Sequence, residues 1–321
     1  MYRSSILFCR LGLFAILLGM ITASSSAQRP SFIFDFLRTD GSARSAAMAG
    51  AFVTVGEDPV GILYNPALLS SIDSTSPLSV TGFKHVLDIN SGSVAGATSF
   101  EGIGTLGAAV TFNSYGSFDR TDRNGNVVGE FGSSDLLLTV GWGNDLGEGF
   151  SAGLSGEFFY SGIDDVSSVG IAIGGGLYFV DTTLDVQAGL SLLHLGTQLS
   201  TFDETSESLP IDLKLGVSHQ LRGLPLLLAL NFSELLDETD DLLDKFSSFS
   251  IGGEFTIADP VRVRLGYDNR VRQDISFGGS KGLGGLAAGL GIIIDEYRFD
   301  YGFSSLAGIG GLHRVSLNAD L

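Results

Sequence analysis

The chain of 321 residues is acidic, with a formal net charge of −18, yet its mean hydropathy is positive at +0.31. The negative charge and the lack of a basic stripe exclude a nucleic-acid-binding protein, which needs cations to neutralise phosphates. The only cysteine, Cys9, lies in the leader described next. A disulfide framework is therefore excluded for the exported chain.

Residues 1–27 are predicted to be a cleaved signal peptide. Arg3 and Arg10 precede the apolar run of residues 11–21, which is too short to span a bilayer as a helix, and small residues follow at 25–27. A membrane anchor is the alternative interpretation. After residue 27 no run of eighteen apolar residues occurs, so spanning helices are not expected. Export to the cell outer membrane is the predicted localisation.

Residues 28–76 do not alternate in polarity and are predicted to form an N-terminal plug, or hatch. Residues 41–75 are rich in alanine and glycine, and Pro59 and Pro66 interrupt them. Small side chains favour a short helix over residues 42–49. A helix of this size fits inside a lumen that is already crowded with side chains.

From residue 77 onward, apolar residues recur at every second position. Val261, Val263 and Leu265 share one parity, for example, while Arg262 and Arg264 occupy the other. Because a strand sends alternate side chains to opposite faces, each segment has one apolar face and one polar face. Both a soluble sandwich and a membrane barrel with a polar lumen fit this pattern. The segment length of about ten residues favours the barrel, since soluble strands usually have about five or six.

Fourteen such segments can be counted, which is an even number, as expected for a closed barrel. They cover residues 77–87, 91–101, 104–119, 133–145, 150–161, 168–180, 184–197, 210–221, 225–235, 246–258, 261–271, 283–294, 296–305 and 312–321. Connections after even-numbered segments are short. Those after odd-numbered segments are mostly long, including 120–132 and 162–167, and are expected to face outward from the cell. Residues 77–321 are thus predicted to form an all-β, transmembrane antiparallel barrel.

Ionic residues of the polar parity cluster on the last five segments and are predicted to line the lumen. One interpretation is an ion-pair network that stiffens the wall and anchors the plug. The other is a polar conduit, or a docking face for a substrate carboxylate, which an arginine can bind through two hydrogen bonds. The residues are Glu254, Arg262, Arg264, Arg298, Asp300, Arg314 and Asp320.

Motifs that suggest chemistry have simpler structural explanations in this chain. The glycines at 102, 104 and 107 have the spacing of a dinucleotide-binding motif. That motif requires a helix after the glycines, and a strand is predicted there instead. Asn124-Gly125 predicts a hairpin turn rather than a calcium loop. The four histidines are expected at membrane interfaces. No catalytic constellation, metal site or cofactor is therefore predicted.

The N-terminal motifs resemble the PorV/PorQ family of outer-membrane proteins, which is similar to the FadL-type fatty-acid transporters. The resemblance rests on residues 42–52 (SARSAAMAGAF) and on Tyr64-Asn65-Pro66-Ala67, with weaker matches at 258–267 and 313–317. It implies a fourteen-stranded barrel with a hatch that contains Arg44, Met48, Asn65 and Pro66.

The same resemblance implies one of two functions. The first is a conduit for hydrophobic small molecules. The second is a surface receptor for exported protein cargo in a type IX-like secretion system. Outer-membrane lipid would surround either one. Two other classes stay open on the residues alone, namely an outer-membrane lipid-modifying enzyme and a soluble secreted β-protein.

Overall fold

The computed structural model describes residues 33–73, 76–84, 89–203, 205–237, 244–274, 282–306 and 310–320. The predicted signal peptide, His85 and part of the connection at 236–245 lie outside these ranges. Fourteen antiparallel strands form one sheet that closes through the pairing of β1 with β14, as predicted. The strands are Pro77–Lys84 (β1), Asn90–Phe100 (β2), Gly104–Thr121 (β3), Val127–Gly147 (β4), Phe150–Ile163 (β5), Val166–Asp181 (β6), Val186–Ser200 (β7), Asp212–Gln220 (β8), Leu226–Phe232 (β9), Phe249–Ala258 (β10), Val261–Asp268 (β11), Leu286–Ile294 (β12), Tyr297–Ser305 (β13) and Gly311–Asp320 (β14).

Helical structure in the described residues is short. Two α-helices cover Ala43–Ala47 (α1) and Asn269–Asp274 (α2), and 3-10 helices cover Asp35–Arg38, Pro59–Leu63, Pro66–Ser71 and Asp244–Ser247. None of the helices in the described ranges has the length and apolar character needed to cross a membrane.

The two faces of the sheet differ as the alternation predicts. On β11 the side chain of Arg264 is enclosed in the barrel, with 1 % of the residue exposed, whereas its neighbour Leu265 is 66 % exposed. Leu290 and Phe299 also lie on the outer surface, while Asp300 is buried in the lumen. A sandwich would place these apolar residues between two sheets, so the soluble two-sheet alternative does not describe this fold.

The connections define two different ends of the barrel. After even-numbered strands, the connections at 101–103, 148–149, 182–185, 221–225, 259–260 and 295–296 are short, and this end is named the short-turn end. The opposite end, named the long-loop end, carries residues 201–203, 205–211, 233–237, 244–248, 269–274 and 282–285 of the described ranges. This asymmetry is the one that the sequence predicts and is typical of transmembrane barrels.

The prediction of long loops at 120–132 and 162–167 is wrong, because strands continue into both segments. Residues 115–132 form a two-stranded ribbon in which Phe118 pairs with Phe131, beyond the last partners of β2 and β5. The ribbon turns at the predicted hairpin, where Gly125 has a φ of +84° and Asp122 accepts hydrogen bonds from two backbone N–H groups. Residues 162–167 likewise belong to β5 and β6, apart from a tight turn at 164–165. Both hairpins are therefore longer than predicted, because each pair of strands continues up to a short turn.

Candidate functional site

Residues 33–73 fill the lumen and are named the plug. Its helix α1 begins after Ser42, whose side chain accepts a hydrogen bond from the backbone N–H of Ser45, while the Ser45 side chain accepts one from the backbone N–H of Ser42. This capping box explains why a helix begins here in a short, alanine-rich segment. The helix lies within the span 42–49 that the sequence predicts. Every residue of α1 is buried.

Asn65 connects the plug to the barrel wall. Its Nδ2 donates to the Val53 carbonyl inside the plug at 3.2 Å and to the Leu177 carbonyl of β6 at 3.0 Å. Its Oδ1 accepts from the backbone N–H of Ala67, which caps the 3-10 helix that begins at Pro66. All the polar atoms of this fully buried amide are thus used. Asn65 fixes both the local fold of the plug and its position against β6.

Lumen-facing glycines let the plug approach the wall closely. A Cβ on Gly176 would overlap Asn65 Oδ1, one on Gly153 would overlap the backbone at Pro66, and one on Gly252 would lie 2.8 Å from the Met48 Cβ. Each strand from β3 to β8 and from β10 to β13 has such a glycine against the plug. They are Gly107, Gly143, Gly153, Gly176, Gly189, Gly216, Gly252, Gly266, Gly289 and Gly302. This set, named the glycine ring, accounts for part of the high glycine content.

An ion-pair network links α1 to β10 and β11. Arg44 donates to both carboxylate oxygens of Glu254, from Nε and Nη2, at 2.9 Å each. Arg264 donates to the same carboxylate at 2.5 Å and to Asp300 at 2.6 Å. Burial alone would lower the pKa of Arg44, but Glu254 and then Asp58 raise it well above its usual range. The guanidinium therefore stays charged inside the lumen.

The network continues to β13 and returns to the plug. Arg298 bridges Asp300 on its own strand and Asp58 in the plug, at 2.7 Å each. Asn318 of β14 donates to Asp300 at 2.9 Å. Three arginines, at 44, 264 and 298, thus face three carboxylates, at 58, 254 and 300. Because the charges balance within a buried cluster, each ion has a partner that offsets the cost of its desolvation.

The predicted lumen residues therefore separate into three places. Four of them, Glu254, Arg264, Arg298 and Asp300, belong to the network, and Arg44 and Asp58 join it from the plug. Arg262 lies near the short-turn end and donates to the backbone carbonyls of Ala258 and Asp259. Asp320 is exposed at the same end. Arg314 is buried elsewhere in the lumen, towards the long-loop end.

An apolar pocket lies inside the lumen on the side of β4–β6. The plug's own Phe34 occupies it, with its ring centroid 5.0 Å from that of Phe159 and 6.3 Å from that of Phe202. Phe34 and Phe159 are fully buried, and the other buried members of the cluster are Phe36, Leu37, Leu137, Ala172 and Leu209. The sequence alone does not reveal this pocket, because residues 33–37 have no periodic pattern that relates them to the distant strands.

Ion pairs at the long-loop end fix the segment that carries Phe34. Arg38 lies 3.0 Å from Glu234 and 3.8 Å from Asp212, while Arg270 of α2 lies 2.8 Å from Glu234 and 3.1 Å from Asp35. Burial would lower the pKa of Arg270, but Glu234 and then Asp35 raise it well above its usual value. Charged contacts at the long-loop end thus hold the segment next to Phe34.

His194 was predicted at a membrane interface, but it faces the lumen instead. A bulge shifts the register of β6 and β7 between Ile173 and Gly175, and His194 adopts a φ of +61° there. The extra residue reverses the parity, so Leu193 and His194 both face inward. The Nδ1 of His194 lies 2.8 Å from the buried carboxylate of Glu157.

Among the described residues, no group of three or more potential metal ligands is present.

Comparisons with solved structures place this fold beside several hydrocarbon transporters. The toluene transporter TbuX of Ralstonia pickettii is 14 % identical, with a TM-score of 0.58 over 87 % of this chain and 97 % of its own. The monoaromatic hydrocarbon channel CymD is 11 % identical, with a TM-score of 0.59 over 91 % of this chain and 99 % of its own. A FadL homologue of Pseudomonas aeruginosa is 12 % identical, with a TM-score of 0.56 over 87 % and 98 %. No protein-family model matches the chain, and no curated protein matches it in sequence. The fold of this chain is therefore similar to that of these proteins.

Proposed function

We propose that this protein is a non-enzymatic outer-membrane conduit for small hydrophobic molecules, gated by movement of its plug. The observation that carries the proposal is the apolar pocket inside the lumen. The barrel interior encloses a cluster of aromatic and aliphatic side chains beside β4–β6, and a phenyl ring of the chain itself, that of Phe34, lies within it. A pocket that accepts one phenyl ring has the shape and chemistry to accept another.

The outer surface supports a membrane location. Large apolar side chains stand exposed on successive strands around the barrel, which water disfavours and hydrocarbon accommodates. Examples from five strands are Val110, Leu154, Ile173, Leu265 and Phe299. In this arrangement the long-loop end faces the cell exterior and the short-turn end faces the periplasm. The predicted signal peptide supplies the route of export.

The similar structures support the type of cargo. TbuX is described as a toluene transporter and CymD as a monoaromatic hydrocarbon channel, and both share the fold of this chain along nearly their whole length. Transport rather than catalysis is also the activity of these neighbours. A monoaromatic hydrocarbon matches the phenyl ring that fills the pocket in this chain.

The glycine ring and the ion-pair network support the proposal that the plug acts as the gate. The plug contacts strands around nearly the whole wall, so a molecule moving along the lumen needs the plug to shift. A disulfide between plug and wall tests this requirement. The backbone N–H of Ala43 donates to Ser316 Oγ of β14 at 2.8 Å, so the two residues are in contact and cysteines are introduced there as Ala43→Cys together with Ser316→Cys. The chain's only cysteine lies in the predicted signal peptide and does not compete.

The experiment measures uptake of labelled toluene by bacterial cells that carry the protein in their outer membrane. Wild type is expected to increase uptake over cells with an empty vector. The oxidised double variant should lose the increase, and dithiothreitol should restore it, while each single variant behaves as wild type. Glucose uptake controls for general leakage. Equal toluene uptake with and without the protein would contradict the proposal.

A receptor role of the PorV type is a second candidate, favoured by the ribbon at residues 115–132. The ribbon extends beyond the strands beside it at the long-loop end and exposes Phe118, Val127 and Val128. Exposed apolar residues on a projecting element suit contact with another protein. Affinity capture of a shortened variant, with residues 117–131 replaced by a two-residue Asn-Gly turn, tests this. Exported proteins recovered with wild type should be absent with the variant. Identical recoveries would contradict the receptor role.

A further inference from the structure

Three buried polar atoms beside the apolar pocket of Phe34 have no hydrogen-bond partner among the described residues. They are Thr111 Oγ1 of β3, Thr139 Oγ1 of β4 and His194 Nε2 of β7. None of the three residues is more than 3 % exposed. A buried polar atom that forms no hydrogen bond costs free energy, so polar atoms of this kind beside a pocket indicate a polar group on the ligand.

The strand register places these groups at the edge of the pocket. Thr111 lies directly opposite Leu137, a member of the apolar cluster, and Thr139 follows two residues later on the same face of β4. Glu157 lies opposite Thr139 in the pairing of β4 with β5. In the pairing of β5 with β6, Glu157 lies opposite Ala172, another member of the cluster. The polar groups and the apolar side chains therefore share one stretch of the lumen wall.

The contact with Glu157 defines what His194 offers to a ligand. A carboxylate only accepts hydrogen bonds, so the proton of the 2.8 Å contact is assigned to Nδ1. Nε2 then accepts a hydrogen bond in the neutral imidazole and donates one in the imidazolium. His194 adopts its φ of +61° at the bulge that turns the ring into the lumen. Residues other than glycine are uncommon in this backbone region and concentrate at functional sites.

The combination of groups favours a neutral ligand that carries a hydroxyl. A hydroxyl both donates and accepts, so it matches the threonine hydroxyls and the imidazole in either protonation state. The carboxylate of Glu157, a residue that is 6 % exposed, opposes a second negative charge nearby. The apolar cluster accepts an aromatic ring, because Phe34 already places one there.

We infer that the pocket binds neutral phenols in preference to aromatic hydrocarbons of the same size. The ring takes the place of the Phe34 side chain, and the hydroxyl forms hydrogen bonds with His194 Nε2 and Thr139 Oγ1. A site that bonds a hydroxyl discriminates against the analogue without one, since its polar groups then stay buried and unpaired. The inference rests on the proposed function, because it names the cargo that the same pocket selects.

The test measures equilibrium binding to the purified full-length protein in detergent by isothermal titration. p-Cresol and toluene are a matched pair that differ by one hydroxyl, and p-toluate carries a carboxylate at the same position. p-Cresol should bind at least about tenfold more tightly than toluene, the factor expected for a hydrogen bond to a buried group. p-Toluate should bind more weakly than p-cresol. Phe34→Ala should strengthen the binding of both neutral compounds, because both enter the space that this ring fills.

Two variants remove the polar groups and leave the apolar cluster in place. Thr139→Val replaces the hydroxyl by a methyl group and should lower the ratio of p-cresol to toluene affinity about threefold. Glu157→Gln with His194→Asn removes the imidazole without leaving a buried carboxylate unpaired, and asparagine tolerates a positive φ. This double variant should lower the ratio about tenfold. Toluene binding should persist in both, which shows that the pocket is intact. Ser79→Ala, which removes an equally buried hydroxyl without a described partner at the short-turn end of β1, is the control.

Equal affinity of wild type for p-cresol and toluene would overturn the inference. An affinity ratio that is unchanged in both variants would do the same, as would a lack of p-cresol binding at millimolar concentration. These outcomes concern selectivity in solution, so the conduit would still stand if cells carrying the protein take up toluene. A conduit that fails in the uptake assay leaves the affinity ratio measurable, so the two failures are distinguishable.

Discussion

Arg44 of the plug and Glu254 of β10 form a two-bond ion pair inside the barrel, with both N–O distances at 2.9 Å. The pair joins an element that has no partner in the sheet to the wall that encloses it. Arg264 shares the Glu254 carboxylate, and Arg298 of β13 pairs with Asp58 of the plug, so displacement of the plug separates several buried charges at once. The resting position of the plug is therefore set by electrostatics as well as by packing.

Removal of one member of this pair should loosen the plug. Glu254→Gln leaves two buried arginines with fewer counter-charges, and breaking a buried pair costs about 3–5 kcal/mol. We expect faster proteolysis within residues 33–73 and a higher conductance in planar bilayers. The double variant Arg44→Met with Glu254→Met removes both charges and should recover much of the protection. Unchanged proteolysis of Glu254→Gln would show that the pair does not hold the plug.

The glycine ring predicts that single methyl groups displace the plug. Gly176→Ala puts a Cβ where Asn65 Oδ1 now lies, so the bond from Asn65 to β6 cannot persist. The expected results are a higher bilayer conductance and a lower temperature of plug release in calorimetry. Gly156→Ala on β5 is the matched control, since its Cβ would lie 4.0 Å from the nearest atom. If both variants conduct equally, close packing at Gly176 is not what closes the lumen.

Phe34→Ala should open the apolar pocket without disturbing the barrel. Loss of a buried phenyl ring costs about 3–5 kcal/mol of local stability, and the vacated space stays apolar and dry. Toluene should therefore bind the variant more tightly than wild type, and should raise its thermal transition by a larger amount. Ile33→Ala, at a residue that is 52 % exposed, is the control. Toluene binding that is weaker in Phe34→Ala would contradict the assignment of this pocket.

Asp237 predicts a pH dependence at the long-loop end. Burial, reinforced by Glu234 and Asp212, raises the pKa of its carboxyl despite the neighbouring Arg38. A folded-state pKa above the unfolded value means that ionisation destabilises the fold, so stability is lost as the pH rises through this window. Asp237→Asn should thus raise the thermal transition relative to wild type at pH 8 and have little effect at pH 3.5. A stabilisation that is equal at both pH values would exclude this cause.

Much of the fold could be predicted from the sequence because strand geometry is local. Alternate residues of a strand always point to opposite faces, so the parity of Arg264 and Leu265 indicates lumen and exterior without any knowledge of their neighbours. The helix near Ser42 and the turn at Asn124-Gly125 were predictable for the same reason. Each depends on residues within one turn of the chain.

The tertiary structure alone decided which of these residues meet. Nothing in the spacing of Arg44, Asp58 and Glu254 relates a plug helix to a strand some two hundred residues later, and nothing separates Arg264 from Arg262 or Asp320 as a network member. His194 shows the limit most directly, since one bulge residue reverses the parity that sequence analysis assumes. Periodicity fixes the direction of a side chain relative to its own strand. Contacts across a closed lumen depend on register, curvature and the path of the plug, which are properties of the whole chain.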